Sequence, residues 1–362
     1  MKCTVEQDAL LEGVRRVLSV VSTKTTLPVL ANVLLEASED QLKLTTTDLE
    51  VSVTTAVNAI VEEPGETTLP AKKFGQIVGT LPSGTVQMNT DDDSHTSISC
   101  GQAFFRVSGL SADEFPREEE LEANWQFSMP AVDLRRAIER VAYAASTEEA
   151  RRVLIGILLS LRDGVLTSAA TDGRRLALVE TTLNENVESD GDVILPPKPV
   201  SELQRNMGSQ GDVSVVVSEA RVCFEFGATR IISKLIEGAY PNYRQVIPET
   251  FAMSAVIPRE EFMNVLSRVG TVLGENGTVS LEFEDSTLTV SASSSEFGES
   301  KEPMNVSFEG SPVTLVLNPV FISEPLRHMN ADQTIIQIND QFSPIQISGD
   351  EGFLCIIMPL HD

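Results

Sequence analysis

The chain has 362 residues, too many for one ordinary core, and length alone favours two or three domains. Hydrophobic residues at 41% and charged residues at 22% describe a globular chain, and 22 glycines with 18 prolines exclude collagen-like and low-complexity classes. Against 27 Lys and Arg stand 53 Asp and Glu, a net charge of −26. That argues against attachment to nucleic acid through bulk positive charge, since such affinity comes from Lys and Arg displacing counterions. An aromatic content of 5% disfavours a platform for stacking single-strand bases. A local basic strip stays open.

In chain order, Met1–Gly13 carries one lysine and no apolar run of the kind a signal peptide needs. No segment approaches the ~18 apolar residues of a membrane span. Cys3, Cys100, Cys223 and Cys355 are far apart in alternating or apolar stretches, which predicts buried thiols in place of disulfides or a zinc site. These features point to a cytoplasmic protein without a membrane partner. From Val5 an amphipathic helix is predicted, with Leu10, Val14 and Val17 on one face. Strands follow at Val33–Ala37, from Leu42 and over Val51–Val57, then a second helix with Phe74 and Leu81 inward and a turn at Ser83-Gly84. Arg117–Asn124 reads as an acidic linker.

The same series then recurs. Leu10, Val14 and Val17 are matched by Leu134, Ile138 and Val141 and by Phe262, Leu266 and Val269. Phe74 and Leu81 are matched by Val200 and Met207 and by Ile322 and Met329; the strand opening at Leu42 is matched at Leu166 and Leu288. Ser108…Phe115-Pro116 is matched by Ser233…Tyr240-Pro241. Landmarks that agree on one period near 125 residues identify a triple repeat. Each copy is predicted as α+β, two helices packed on sheet, with domains 1–125, 126–252 and 253–362. Pro130 and Pro258 sit where a first-turn proline would, Asn318-Pro319 reads as N-cap and first helical residue, and Pro325 should kink or end its helix. Ile155–Leu161 is a short apolar run of buried-strand type.

The other face of these helices carries the functional signal. Arg16, Arg140 and Arg268 stand at one phase of the first helix set, about 130° from its apolar centre. Lys198, Arg205 and Arg327 point away from the core of the second set, with Lys72, Lys73, Arg135 and Arg136 nearby. Basic residues at equal phase in an acidic chain predict a surface aimed at an anion. Three similar domains in series make an arc, and two arcs can close a ring by two-fold or head-to-tail contact. With the helices inward, such a ring has a basic lining that holds duplex DNA by topology and sequence-blind phosphate contacts.

Thr26-Leu-Pro-Val-Leu30, Thr47-Asp-Leu-Glu50, Thr171-Asp-Gly-Arg-Arg-Leu176, Ser233-Lys-Leu-Ile-Glu-Gly238, Tyr240-Pro-Asn-Tyr-Arg244 and Met358-Pro-Leu360, set in this triple repeat, resemble the bacterial DNA polymerase III beta subunit family. The likeness runs over essentially the whole chain. It implies three DNA-clamp domains per chain and a homodimeric six-domain ring around duplex DNA. It also implies loading by an ATP-driven clamp loader, tethering of the replicative DNA polymerase, and docking of repair polymerases, ligase and mismatch-repair proteins. For the partner-peptide cleft it implies Leu154, Thr171, Gly173, Arg174, Arg175, Leu176, Pro241, Val246, Ser343, Pro344, Ile356, Met358, Pro359 and Leu360. For DNA it implies Lys24, Arg151 and Arg152. At the dimer seam it implies Phe105 and Val107 against Val272 and Leu273 of a second copy, with Lys73 and Arg106 facing Glu296 and Glu299. Where the family often has His, this chain has Arg174, and where it has Arg, this chain has Gln245.

No phosphate-binding loop, dinucleotide fingerprint, H-E-x-x-H or paired C-x-x-C occurs, so no cofactor or metal is called for. The alternative enzyme reading is a phosphoester site built from Asp172 with Arg174 and Arg175; Asp48 and Asp172 occupy equal positions in different copies, which fits turn capping better than a convergent catalytic pair. A further alternative is an acidic repeat scaffold without DNA.

Overall fold

The computed structural model describes residues 1–22, 25–118, 120–183 and 190–360. Among these are six α-helices: α1 (Gln7–Val17), α2 (Ala71–Thr80), α3 (Ala131–Ala142), α4 (Pro197–Asn206), α5 (Arg259–Val269) and α6 (Pro319–His328). The predicted apolar positions are the buried ones. Leu10, Leu134 and Phe262 are fully enclosed, as are Phe74 and Ile322, with Val200 also buried. Leu42, Leu166 and Leu288 occupy one place in three strands and are equally buried. Enclosing such a side chain stabilises by ~1.5–3 kcal/mol, so each repeat re-creates the same core with the same positions.

The helix signals need two corrections. Pro258 is the N-cap of α5 and Pro130 ends the strand Trp125–Pro130, so neither is a first helical residue. The helix α6 runs through Pro325, which is buried with Ile322 and Leu326. Only one intrahelical bond is lost there, and the ring joins the core face. Its start follows expectation: Asn318 caps, accepting the Val320 N–H at 2.9 Å, and Pro319 is first in the helix.

Among the described residues the strand pairings are antiparallel. In one compact unit, Met1–Arg135 with Pro196–Leu235, a five-stranded sheet ends on the edge strand Ala103–Ser108. An eight-stranded sheet in the same unit joins strands of two repeats, where Thr229–Lys234 pairs with Val51–Asn58 through Ile231↔Val53. In the other unit, Arg136–Leu195 with Ile236–Asp362, a nine-stranded sheet does the same, where Arg175–Thr182 pairs with Phe353–Ile357 through Ala177↔Cys355. A four-stranded sheet of this unit ends on Gly298–Asn305. The compact units therefore cut across the second repeat: hydrogen-bonded sheets span from one repeat into the next, and a contact-based division follows the sheets. Ile157–Arg162 is the buried strand expected from the apolar run, and all four cysteines are free and buried. Among the described residues no helix is long and apolar enough to cross a membrane.

Candidate partner cleft and basic helix faces

The second cross-repeat junction carries most of the expected cleft. Its scaffold is the turn Thr171–Arg175. Asp172 Oδ1 accepts the backbone N–H groups of Arg174 at 2.9 Å and Arg175 at 3.1 Å, and Thr171 donates its hydroxyl to the Arg175 carbonyl at 2.5 Å. Gly173 supplies the left-handed conformation the turn needs, φ +88°. Beyond the last strand, the Met358 N–H donates to the Arg174 carbonyl at 2.9 Å, and Leu360 N–H to Val316 at 2.8 Å, which anchors the chain end beside the turn.

Under these elements lies a closed apolar cluster of Leu158, Ala169, Leu176, Leu178, Tyr243 and Ile356, with Tyr240, Ile247 and Leu354 packed against it. Leu176 and Ile356 face each other across the strands and are floor, not contact surface. Val246, Met358 and Leu360 keep 45%, 37% and 38% of their surface open. Pro241 is exposed, Pro359 is buried, and Leu154, Thr171, Ser343 and Pro344 are half-buried. Ser343 is fixed by Asp340, which accepts its N–H at 2.7 Å and its hydroxyl at 2.8 Å; these bonds hold the Asp340 carboxyl below its ordinary range. Ile345 pairs with Ile357, which brings Ser343-Pro344 alongside Met358.

Arg175 is not a free cation here. Its side chain is 13% exposed, its Nε donates to Asp172 at 3.0 Å and its Nη2 to the Tyr143 carbonyl at 2.6 Å. The guanidinium lies 4.4 Å from the Phe321 ring centre and 5.6 Å from that of Tyr143. Asp172 is likewise spent on capping, so the phosphoester reading loses its carboxylate and one of the two arginines of its clamp. Of the three aromatic residues here, Tyr143 and Phe321 carry no signal in the sequence. Tyr240 accepts the Thr171 N–H at 3.0 Å, and burial pushes its hydroxyl up to about 12, so it stays neutral. Tyr143 meets Cys355 Sγ at 2.9 Å. Only Tyr240 carried a signal, standing in the Tyr-Pro-Asn-Tyr-Arg string.

The first junction repeats this framework 124 positions earlier. Asp48 Oδ1 accepts Glu50 and Val51 N–H at 3.0 and 2.8 Å, Thr47 donates to Val51 at 3.1 Å, and Lys234 N–H donates to the Glu50 carbonyl at 2.9 Å. Leu49 even shares the left-handed conformation, φ +75°. The floor differs. Thr45, Ser52 and Thr54 replace Ala169, Leu176 and Leu178, the two threonine hydroxyls bond each other at 3.0 Å, and a Glu50–Lys234 ion pair at 2.9 Å stands where Arg174 and Met358 do. The first junction keeps a buried apolar cluster of its own, Val29, Leu30, Leu34, Ala112 and Phe115, and an exposed Leu49, so the two differ in the face of the paired strands and not in having apolar residues.

The basic helix faces are neutralised more than the sequence suggests. Arg16 pairs with Glu12 at 2.6 Å and donates to Thr229 at 2.9 Å; Arg205 pairs with Glu202 at 3.2 Å and Arg268 with Glu302 at 2.5 Å. Lys198 is bound to Asp48 and Arg151 to Glu148, the latter at 2.9 Å, while Arg151 also donates to the Asp172 carbonyl at 2.8 Å. Arg152 is exposed. Arg140 departs from the outward-facing expectation. It is 7% exposed, ion-paired to Asp350, bonded to the His328 carbonyl at 3.2 Å and 5.2 Å above the Phe353 ring. Burial pushes its pKa down. The phase was right, but the last strand and α6 cover that face of α3. Lys24 lies outside the described residues. Phe105, Val107, Val272 and Leu273 are each half-buried. Arg106 pairs with Asp91 at 2.7 Å and Lys73 donates to Gln76 at 3.1 Å.

Models of the DNA polymerase III beta subunit match the chain in three successive pieces, the N-terminal domain over residues 1–119, the central domain over 128–242 and the C-terminal domain over 244–361. The beta sliding clamp of Caulobacter vibrioides is 33% identical over 371 residues, covering 100% of both chains. That of Chlamydia pneumoniae is 31% identical over 365 residues, again covering 100% of both. The crystal structure of the DNA polymerase III subunit beta from Pseudomonas aeruginosa is similar with a TM-score of 0.94 at 30% identity, covering 100% of each chain. The DNA polymerase sliding clamp from Bacillus subtilis gives 0.96 at 27% identity, over 100% of this chain and 99% of that one.

Proposed function

Because this chain belongs to the DNA polymerase III beta subunit family, we propose that two copies of it close head to tail into a ring around duplex DNA. It is a DNA sliding clamp of replication and not an enzyme. In this reading domains 1–125, 126–252 and 253–362 supply half the ring each chain contributes, and the place of work is the cytoplasm. An ATP-driven clamp loader opens it. The replicative polymerase, repair polymerases, ligase and mismatch-repair proteins share the cleft at the second junction.

The observation that supports this reading best is the contrast between the two junctions. The same turn and strand pairing recur, yet where the first has Ser52, Thr54 and the ion-paired Lys234 the second has Leu176, Leu178 and the exposed Met358, with Val246 and Leu360 also open. A cleft of that kind takes one or two apolar anchors of a short peptide, and Met358 lets it repack around different ones. On the DNA side, Arg16, Arg151, Arg152, Lys198, Arg205 and Arg268 contact phosphates. For Arg16, Arg151 and Arg268 the carboxylate partner is no obstacle, since an exposed ion pair is worth only ~0–1 kcal/mol and exchanges readily for a phosphate oxygen, whereas Lys198 and Arg205 are held by the more buried Asp48 and Glu202. Neutralised faces suit a protein that must slide, because grip then comes from encirclement.

The test is retention on plasmid. Loaded onto a nicked circle by a clamp loader, the protein should co-elute with the DNA through gel filtration and be released when the circle is linearised. Equal retention on both forms would mean ordinary binding and would defeat the ring.

A further inference from the structure

The two junctions brace the same turn in different ways. At the first, the turn-capping Asp48 is held by Lys198, which reaches it from α4 and also donates to the Val20 carbonyl at 3.3 Å. The rest of that contact is polar: Ser19 donates to the buried Glu202 at 2.5 Å, and Asn206 donates to the Arg16 carbonyl at 3.3 Å. At the second junction Val320 stands where Lys198 does, a 50% exposed apolar side chain that can hold no carboxylate. Arg175 braces Asp172 in its stead, from the turn itself. Arg175 Nη1 is buried without an acceptor, so the guanidinium is fixed by Asp172, by the Tyr143 carbonyl and by the Tyr143 and Phe321 rings over which it lies. Tyr143 is held in turn. It occupies the place of Ser19, and His328, in the place of Asn206, stacks on it with ring centres 5.1 Å apart and planes 9° apart. Burial pushes the Tyr143 hydroxyl well above its ordinary pKa, so it meets Cys355 Sγ neutral. The His328 carbonyl accepts from Arg140, which pins the base of the stack.

On the cleft reading given above, we propose that Tyr143 and His328, two residues outside the cleft lining, are its positioning residues: their stacked rings hold Arg175, and Arg175 holds the turn from which Met358 is hung. The Asp172 carboxylate serves both ends of that chain of contacts. Its Oδ2 takes Arg175 Nε at 3.0 Å, while its Oδ1 takes the Arg174 and Arg175 backbone N–H groups. The Arg174 carbonyl receives the Met358 N–H. A guanidinium that swings away therefore frees the carboxylate, loosens the turn and shifts the exposed Met358. A cation over an aromatic face is held by the ring quadrupole, more firmly where water is excluded, and offset-stacked rings fix each other's tilt. The demand is for flat faces at positions 143 and 328, not for the tyrosine hydroxyl or the imidazole nitrogens. The first junction makes no such demand, and there the ion-paired Lys234 stands in place of Met358.

Binding of a fluorescent peptide bearing glutamine and an apolar end is measured by anisotropy on the full chain, and hydrogen exchange of the turn 171–175 is read by mass spectrometry. Tyr143→Leu and His328→Ala each remove a flat face, and each should weaken binding by about three- to ten-fold and speed exchange of the Arg174 and Arg175 amides. Tyr143→Phe and His328→Phe keep the faces and should bind within about two-fold of the parent, with the turn still protected. His328 is half-buried at the end of α6, so its alanine variant keeps the test open should Tyr143→Leu fail to fold. A purely structural role would lower the thermal midpoint without singling out the turn. If the leucine and alanine variants bind like the parent, lose affinity while the turn keeps its protection, or are not rescued by phenylalanine, the positioning role is refuted. If the parent binds no peptide, or binds it unchanged once the chain is ended after Ile357, the cleft reading is what fails and the positioning role falls with it.

Discussion

Replacing Arg140 by alanine discriminates between a DNA contact and a structural knot. The Arg140 and Asp350 side chains are 9% and 11% exposed, and the guanidinium also serves the His328 carbonyl and the Phe353 ring. Asp350 keeps other partners, accepting Asn330 N–H at 2.9 Å and Ala331 N–H at 2.7 Å, so its charge would not be wholly abandoned. Breaking a buried pair from one side costs ~3–5 kcal/mol, and the lower end applies here. A unit of this size loses ~2–4 °C per kcal/mol, so its thermal midpoint should fall by about 10 °C. Arg16→Ala is the internal control. It stands at the same helical phase, but its ion-pair partner Glu12 is largely exposed, so the loss should stay within ~1 kcal/mol. Differential scanning calorimetry reads both midpoints, and plasmid retention at two salt concentrations reads the DNA term. An Arg140→Ala protein of unchanged midpoint but weaker, more salt-sensitive retention would return Arg140 to the phosphate face and refute its role as a knot.

Ending the chain after Ile357 removes the exposed Met358 and Leu360 together with their hydrogen bonds to Arg174 and Val316. Two anchor contacts at ~1–2 kcal/mol each predict about a hundred-fold weaker binding of a short peptide bearing glutamine and an apolar end, by fluorescence anisotropy, with the dimer intact by light scattering; unchanged affinity would dismiss the cleft. Burial raises the Asp48 carboxyl, but the Lys198 ammonium and the Val51 and Glu50 N–H groups outweigh it, so Asp48 titrates below its ordinary value. A group depressed in the folded chain contributes stability in full above its unfolded pKa of ~3.9. That contribution is lost as pH falls through the lower folded value. Asp48→Asn should therefore melt earlier than the parent at pH 7, with the gap closing as pH drops below about 4; a gap independent of pH would deny the charge any part in it.

The triple repeat, the helix phases and the core positions were legible in the sequence because they follow from local periodicity. Leu10, Leu134 and Phe262 must share a face once their segments are helical, and no distant residue alters that. The turn at Asp172 was equally readable, since an Asx cap is made within four residues. What covers an outward phase was not. Arg140 and Arg16 have the same local setting, yet one meets Phe353 and Asp350, more than two hundred positions away, and the other meets Thr229 and Glu12. The junctions themselves also needed tertiary structure. Leu176 lies opposite Ile356 and Ser52 opposite Ile232, so the following repeat brings isoleucine to both junctions; the difference is written in the repeat's own residues, and what only the folded chain shows is that these strands meet. Periodicity fixes which way a side chain points, and only the folded chain decides what it meets there.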